Sequence, residues 1–397
     1  MKRTLLWIAL VAIAVPASIA VRTDAGAADR ADPDGARRRL QIEVDAVRAA
    51  GATGVLAQVR ARGTDHAARA GVADLDSTAP VPWGAYYRIG STTKTFTATV
   101  ALQLVAEGRL RLGDTVERWL PGVLRGNGND GTRVTVENLL RQTSGLNDYD
   151  EQLPWAREFT PERFQQERFH AYTPRDLVTL ATAEAPQWLP DKANPGAETR
   201  WAYSNTNYVL ATMIVEKVTG HPLAQEIHDR IIAPLGLPHT IVAGTSAFVP
   251  QPRAAGYTQF PGRPDLVDTS VFVPFPDAPI ISTTADVTTF LRALMSGRLL
   301  PAAQMAKMKQ TVAADDLGEE GARYGLGISW RPATGCPDGI WSHGGTMPGY
   351  LSEAAVTTDG QHAVTAVATT WRPGDDQQDH QDHAMTRLVN HTLCTTR

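Results

Sequence analysis

The chain is poor in cysteine, in clustered positive charge and in long apolar runs, and each shortage excludes a class of protein or of binding partner. Its 38 Lys and Arg residues are scattered along 397 residues, so neither a nucleic acid nor another polyanion is expected as a partner. Beyond the N-terminal region no apolar run is long enough to span a bilayer, so no integral membrane segment is expected in the mature chain. No serine stands in a Gly-X-Ser-X-Gly elbow, which disfavours an α/β-hydrolase of that type.

The N-terminal region has the features of a secretory signal peptide. Lys2 and Arg3 precede an apolar run from Leu5 to Ala14, and small residues follow. Several alanines offer cleavage sites, and the sequence does not choose among them. We expect residues 1–28 to be a signal peptide and the protein to be secreted.

The only two cysteines are Cys336 and Cys394. In an oxidising compartment a single pair most simply forms one disulfide, which here would tie the C-terminus to a late strand. Two buried thiols are the alternative.

The rest of the chain has an ordinary composition for a folded enzyme, with 43% hydrophobic and 20% charged residues. Residues 29–37 are polar and predicted to be disordered, and 38–397 are predicted to form the folded domain. Strand patterns occupy both ends of that domain, and the spacing between the late strands indicates antiparallel pairing. The prediction is a mixed α/β (α+β) fold, an antiparallel sheet flanked by terminal helices, with an all-helical region inserted at roughly 105–280.

Ser91 lies where an extended run, Tyr86 to Ile89, gives way to an amphipathic helical pattern that continues to about Glu107. In the first turn of a helix, free backbone N–H groups and the positive end of the dipole favour developing negative charge. Lys94 follows three residues later on the same face. A serine beside an amine that burial brings to neutrality is an activated nucleophile. Taken alone, however, such a spacing is more typical of an ordinary helix start.

A second motif, Tyr203-Ser204-Asn205, precedes another predicted helix. A tyrosine hydroxyl near a cation loses its proton more easily, so Tyr203 could exchange protons with a serine or a leaving amine. Asn205 offers both a donor and an acceptor to a substrate amide. Alone, this tripeptide indicates only a hydrogen-bonded loop tyrosine.

A third motif, His343-Gly344-Gly345-Thr346, ends a predicted strand. Two successive glycines permit close approach of a substrate to the strand edge. The backbone N–H of Thr346 could face that of Ser91 as a second oxyanion donor, and His343 would add a donor or a positive charge.

A group of acidic and histidine side chains near the C-terminus is a candidate metal site: Asp379, His380, Asp382 and His383. We favour a solvated loop and helix start, because the spacing shows no coordination pattern with supporting residues. No metal and no cofactor are expected.

Together and in this order, the three motifs resemble those of the penicillin-recognising serine hydrolases, the family of serine β-lactamases and D-alanyl-D-alanine carboxypeptidases. The resemblance covers about 40–395 and is closest to the branch of class C β-lactamases and the soluble Streptomyces-type carboxypeptidase. Further stretches that carry it are Leu139 to Leu146, Asn194 to Gly196, Pro234 to Leu237 and Tyr324 to Gly327.

The resemblance implies a β-lactamase/transpeptidase-like fold and an acyl-enzyme mechanism. Ser91 would attack a carbonyl while Lys94 and Tyr203 relay its proton to the leaving group. Backbone N–H groups of Ser91 and Thr346 would hold the oxyanion, and water would release the acyl group. The substrate would contact Asn205, Gly345 and Thr346. That substrate would be a peptide ending in D-Ala-D-Ala or a β-lactam, and the protein is expected to be a monomer.

Three positions depart from the family pattern where a substrate carboxylate and side chain would be recognised. Gly344 replaces the usual hydroxyl residue, and Ser329 stands where the related carboxypeptidase has an arginine. The segment Asp277 to Ile281 lacks the usual pair of small residues. These departures concern the substrate more than the chemistry.

The first expectation is therefore a secreted D-alanyl-D-alanine carboxypeptidase that penicillin acylates. A β-lactamase, an esterase or a hydrolase of D-amino-acid amides or peptides is the second, and an inactive peptide-binding homologue the third. If a protonated His343 aids substrate binding, activity toward carboxylate-ended substrates should fall as pH rises through its pKa, ordinarily near 6.5.

Overall fold

The computed structural model describes residues 33–61 and 64–394. The predicted signal peptide, 1–28, lies outside the described residues. The predicted disordered segment is wrong over 33–37, because the first helix already begins at Pro33. A proline suits a first helical position, since the N–H that it lacks would have no partner within the helix.

Helices fill the middle of the chain and flank both ends. The helices are α1 (Pro33–Ala49), α2 (Thr93–Ala106), α3 (Val116–Trp119), α4 (Val136–Arg141), α5 (Pro154–Arg157), α6 (Pro161–Glu167), α7 (Pro174–Ala181), α8 (Asn205–Thr219), α9 (Leu223–Ile227), α10 (Ala233–Leu235), α11 (Thr284–Met295), α12 (Ala302–Met308) and α13 (Asp376–Cys394). Within the described residues, no helix has the length and apolar character needed to cross a bilayer.

Strands gather toward the two ends of the chain, with short ones between. The strands are β1 (Gly54–Ala61), β2 (Thr64–Gly71), β3 (Tyr87–Arg88), β4 (Arg125–Gly126), β5 (Asn129–Asp130), β6 (Ile241–Val242), β7 (Tyr257–Gln259), β8 (Leu266–Asp268), β9 (Ile280–Ser282), β10 (Val312–Ala313), β11 (Arg323–Tyr324), β12 (Ser329–Ala333), β13 (Cys336–Met347), β14 (Tyr350–Thr357), β15 (His362–Ala368) and β16 (Thr370–Trp371).

Eight of the described strands form the main antiparallel sheet, in the order β10-β11-β12-β13-β14-β15-β1-β2. The pairing of β1 with β15, for example Val55 opposite Ala368, joins the two ends of the chain. The fold class predicted from the sequence is thereby confirmed. On one face of the sheet, α1 and α13 bury an apolar layer that includes Leu40, Val44 and Leu388.

A second and larger core lies on the opposite face, where α2 and α11 pack. Phe96 of α2 stacks on Phe290 of α11, with 3.6 Å between ring centroids. Contrary to the predicted amphipathic pattern, α2 is buried on nearly all sides. Its threonines bond to backbone carbonyls: Thr99 Oγ1 donates to Thr95 O at 2.7 Å, and Thr95 Oγ1 donates to Gly327 O at 2.7 Å. Those hydrogen bonds let polar side chains lie in the core.

The inserted region was predicted to be all-helical. That prediction is wrong, because the region also contains the short strands β4 to β9. Strands of two or three residues are too short to show an alternating pattern. One of them, β9, pairs with β3 directly before Ser91, with Arg88 opposite Ile281. The inserted region is thus fastened to the segment that carries the candidate nucleophile.

The long strand β13 differs from the prediction at its C-terminal end. It continues through Gly344 and Gly345 to Met347, instead of turning after His343. At its other end, Cys336 forms a disulfide with Cys394 of α13, with 5.1 Å between their Cα atoms. The predicted disulfide is present in the structure.

The closing helix α13 begins at Asp376. The four acidic and histidine residues considered as a metal site therefore lie on a helix. Among the described residues, no group of three or more His, Cys, Asp or Glu side chains is placed to hold a metal ion.

Candidate active site

Ser91 lies in a 3-10 turn, Gly90–Thr92, that leads into α2, and not within the first α-helical turn as predicted. The β3–β9 pairing fixes the chain just before this turn, and Ile89 N donates to Ile280 O at 3.1 Å. Gly90 has φ +54°, a left-handed conformation that glycine adopts without strain. The tight turn presents the Ser91 side chain to the cleft.

Lys94 is fully buried and directs its ammonium at Ser91. Lys94 Nζ lies 3.2 Å from Ser91 Oγ, 2.6 Å from Asn205 Oδ1 and 3.1 Å from Asp277 Oδ2. Burial alone would lower the pKa of Lys94, but the interactions of its ammonium with Tyr203 and Asp277 outweigh that effect, and the pKa lies above its ordinary value. The predicted neutral amine is therefore wrong, because Asp277 compensates the buried charge.

Tyr203 reaches the same point from the loop ahead of α8. Its ring centroid lies 5.3 Å from Lys94 Nζ, and its hydroxyl interacts with both Ser91 and Lys94. Burial raises the pKa of Tyr203, while the positive Lys94 and the hydrogen bonds with Ser91 and Lys94 oppose that rise. The net pKa is above the ordinary value, so Tyr203 is a neutral phenol near neutral pH.

Asn205 connects this group to two acidic residues that the sequence analysis missed. Its amide Nδ2 donates to Asp148 Oδ2 at 3.0 Å and to Asp150 Oδ2 at 2.8 Å. Burial raises the pKa of Asp148 to about 6, and burial with the charge of Asp148 raises that of Asp150 well above its usual range. The run Asp148-Tyr149-Asp150, which follows the Ser144-Gly145-Leu146 stretch, was the available signal.

Asp277 was also missed as a polar partner, although its segment was noted as unusual. Besides the ion pair with Lys94, its Oδ1 accepts a hydrogen bond from Tyr149 OH at 2.5 Å. The carboxylate has both oxygens engaged and is 2% exposed. Asp277 therefore acts as the buried counter-ion of Lys94.

The end of β13 forms the opposite wall. A Cβ placed on Gly345 would lie 2.0 Å from Ile89 O, so the strand approaches the nucleophile turn as only glycine allows. Thr92 Oγ1 donates to His343 O at 3.1 Å and fastens the turn to the strand. A Cβ on Gly90 would lie 3.2 Å from Thr346 N. The backbone of Thr346 is thus adjacent to the Ser91 turn, as the oxyanion arrangement requires.

Of the two roles expected for His343, a donor or a positive charge, the structure does not support the positive charge. Its Nδ1–H donates to Gly344 O at 2.7 Å, which leaves Nε2 to accept from Tyr324 OH at 3.0 Å. Burial lowers the pKa of His343 to about 4, with a smaller contribution in the same direction from Lys94. The ring is neutral at physiological pH, because it lies inside the protein and both nitrogens are engaged with neutral groups.

These elements enclose a cleft of about 860 Å³. Aromatic side chains line one part of it, among them Trp155, Trp201 and Phe275. Arg331 also lines the cleft, but it is 5% exposed, and its guanidinium pairs with Glu319 at 2.6 Å.

Comparison with known proteins agrees with this geometry. The family model described as Beta-lactamase matches residues 40–386. The chain belongs to the beta-lactamase family. The resemblance inferred from the motifs is confirmed, and membership places the protein among the serine hydrolases of that family.

Three relatives of this beta-lactamase-family protein are informative. A D-stereospecific amidohydrolase from Streptomyces sp. is 38% identical with TM-score 0.77, covering 88% of this chain and 98% of that one. The D-amino acid amidase from Ochrobactrum anthropi SV3 is 24% identical with TM-score 0.77, covering 91% and 100%, and supports the fold. The putative penicillin-binding protein PbpX of Bacillus subtilis is 28% identical over 71% of this chain. The match spans 61% of PbpX.

Proposed function

We propose that this protein is a serine amidohydrolase that cleaves D-amino-acid amides or short D-peptides through an acyl-enzyme on Ser91. The observation that carries this proposal is the uncharged state of His343 at the strand edge. A carboxypeptidase must recognise a terminal carboxylate, and a neutral ring whose nitrogens are both engaged offers it no cation. Gly344 offers no hydroxyl, and Ser329 gives its own to the backbone oxygen of Ser342 at 2.7 Å.

The charge of the cleft supports the same proposal. Among the described residues that line it, the only basic ones are Arg331, His343 and His383. Six lining residues carry carboxyl groups: Asp150, Asp277, Glu319, Glu353, Asp379 and Asp382. Arg331 is paired with Glu319 and His343 is neutral, so the lining offers a substrate carboxylate little positive charge. The 38% identity to a D-stereospecific amidohydrolase points in the same direction.

The chemistry follows from the protonation states. Ser91 Oγ attacks the amide carbon while its proton passes to the Tyr203 oxygen, and the Tyr203 proton passes to the leaving nitrogen. Lys94 stays protonated and offsets the negative charge that develops on Ser91 Oγ and on the Tyr203 oxygen during the proton transfers. Backbone N–H groups of Ser91 and Thr346 hold the oxyanion, and water then hydrolyses the ester.

Export is part of the proposal. The Cys336–Cys394 disulfide suits an oxidising compartment, in keeping with the signal peptide expected at 1–28. Sequencing the N-terminus of the protein recovered from culture medium tests this.

A direct comparison of substrates tests the activity. Purified protein is offered D-phenylalanine amide, its L enantiomer, diacetyl-Lys-D-Ala-D-Ala and nitrocefin, and kcat/KM is measured for each. We expect the D-amide to be the best substrate, the L-amide to be poor, and Ser91→Ala to be inactive. If D-alanine release or nitrocefin hydrolysis exceeds D-amide hydrolysis, the carboxypeptidase or β-lactamase assignment replaces this one.

A further inference from the structure

Resting on the proposed function, we infer that Asp150 binds the free α-ammonium group of the substrate, so that the enzyme requires an unblocked amino terminus. The substrate class is then the D-amino-acid amide or D-peptide with a free amine, and N-acylated amides are excluded. Asp150 thereby becomes a residue that determines specificity.

The position of Asp150 relative to Ser91 carries the first step. Asp150 lines the cleft, and Asn205 lies between it and the nucleophile. Asn205 Nδ2 is 2.8 Å from Asp150 Oδ2, and Asn205 Oδ1 is 2.6 Å from Lys94 Nζ, which is 3.2 Å from Ser91 Oγ. The carboxylate is therefore separated from the reacting hydroxyl by a chain of two side chains. An α-amino group lies two bonds from the carbonyl carbon that Ser91 attacks, so a substrate bound at Ser91 would carry its ammonium in the cleft that Asp150 also lines.

The incomplete hydrogen bonding of Asp150 carries the second step. Its Oδ1 is buried and has no hydrogen-bond partner among the residues that the structure describes, although buried carboxylate oxygens are almost always satisfied. Its Oδ2 shares the one Asn205 amide with Asp148. A neutral amide cannot balance two carboxylates, and Lys94, whose positive charge acts on Asp150, is already paired with Asp277. The arrangement lacks one cationic donor, which an ammonium group supplies.

The charged groups around Asp150 also favour the binding of an ammonium group there. Asp148 and Asp277 repel its charge and Lys94 attracts it, and with burial the balance raises the pKa of Asp150. A bound ammonium would reverse that balance and hold the carboxyl ionised. A substrate whose amine is acetylated has no charge to offer, so the pKa of Asp150 would stay raised and no ion pair would form.

The wall beyond Asp150 fits the rest of such a substrate. Trp155 and Phe275 line the cleft together, with 6.4 Å between ring centroids, and Tyr149 packs on Phe275 at 5.6 Å. An aromatic D-amino acid would place its ring among these side chains and its amine at Asp150. D-Phenylalanine amide is therefore the probe of choice.

The test compares D-phenylalanine amide with N-acetyl-D-phenylalanine amide, using the whole protein and its Asp150→Asn variant. We expect the wild type to prefer the free amine by about 100-fold in kcat/KM. Asp150→Asn should lower kcat/KM for the free amine by about 10- to 100-fold, the usual range for a charged hydrogen bond, and leave the acetylated substrate unaffected. Asp150→Glu, which keeps the charge, should restore part of the preference.

The matched control is Glu151→Gln, which removes the same charge from the neighbouring exposed position. It should leave the preference for the free amine unchanged. If Asp150→Asn keeps the wild-type preference, or if the wild type hydrolyses both amides equally well, the inference is wrong and the amidohydrolase proposal stands. If the wild type hydrolyses neither amide, the proposed function fails and the inference fails with it.

Discussion

Lys94 and Asp277 form an ion pair inside the protein, with 3.1 Å between Nζ and Oδ2 and side-chain exposures of 0% and 2%. The two residues are 183 positions apart in the chain. Lys94 opens α2 beside Ser91, whereas Asp277 belongs to the inserted region just before β9. The pair therefore holds the inserted region against the nucleophile helix as well as setting the charge beside Ser91.

Asp277→Asn should destabilise the fold by roughly 3–5 kcal/mol, because removing one member of a buried pair leaves an uncompensated charge. The pKa of Lys94 should fall at the same time, since the negative partner that raises it is lost. Urea unfolding and the pH dependence of kcat measure the two effects.

The double variant Lys94→Met with Asp277→Asn is the control for that change. It removes both charges, so it should recover most of the lost free energy of unfolding while remaining inactive. Additive destabilisation by the two changes would show that the pair does not couple.

His343 should make the fold sensitive to acid. Its pKa is about 4 in the folded protein against an ordinary 6.5, so its contribution to stability is complete above pH 6.5 and is lost as pH falls toward 4. The loss corresponds to about 3 kcal/mol. His343→Gln should remove this dependence. We also expect no step in activity near pH 6.5 from His343, which replaces the expectation drawn from the sequence.

Glu353, whose side chain lies on the other face of the same sheet, should affect the pH dependence of stability in the opposite direction to His343. It lies opposite Gly344 in the β13–β14 ladder, and burial raises its pKa to about 7 from an ordinary 4.5. Its contribution favours the folded state at low pH and is lost as pH rises through 7, by up to about 3 kcal/mol. Glu353→Gln should therefore be more stable than wild type at pH 8 and no more stable at pH 4.5.

The pH dependences of stability of His343→Gln and Glu353→Gln can be compared with each other. In the wild type the contributions of His343 and Glu353 have opposite signs over nearly the same pH interval, so they should largely cancel. The unfolding free energy of His343→Gln should then fall with rising pH, and that of Glu353→Gln should rise. Identical pH profiles for the two variants would contradict both assignments.

The fold was predictable because its signals are local. Alternating residues and short turns between the late strands identify the sheet, and β1 with β2 do the same near the N-terminus. The group of Ser91, Lys94, Tyr203 and Asn205 was predictable from the order of its motifs. The run of β13 through Gly344 and Gly345 was missed, because two glycines are typical of a turn until the packing against Ile89 is known.

The electrostatics of the site were not predictable from the sequence. Asp277 is a single acidic residue with no periodic pattern, and only the folded chain places it beside Lys94. The neutral state of His343 likewise results from burial, which only the folded chain produces, and Tyr324 from a different strand bonds to its Nε2. Both errors concern charge states set by burial and by partners distant in the chain.

The two glycines of β13 should differ sharply in their tolerance of a side chain. A Cβ at Gly345 would lie 2.0 Å from the backbone oxygen of Ile89, so Gly345→Ala must push the strand away from the Ser91 turn. A Cβ at Gly344 would lie 3.0 Å from the end of the Glu353 side chain, which can rotate away, and 3.5 Å from the backbone oxygen of Ser352, an ordinary contact. We expect Gly345→Ala to lower kcat by at least about 100-fold through displacement of an oxyanion donor, and Gly344→Ala to keep activity within about threefold. Each variant is the other's control, since both add one methyl group to the same strand, and equal losses would contradict the close contact between Gly345 and the nucleophile turn.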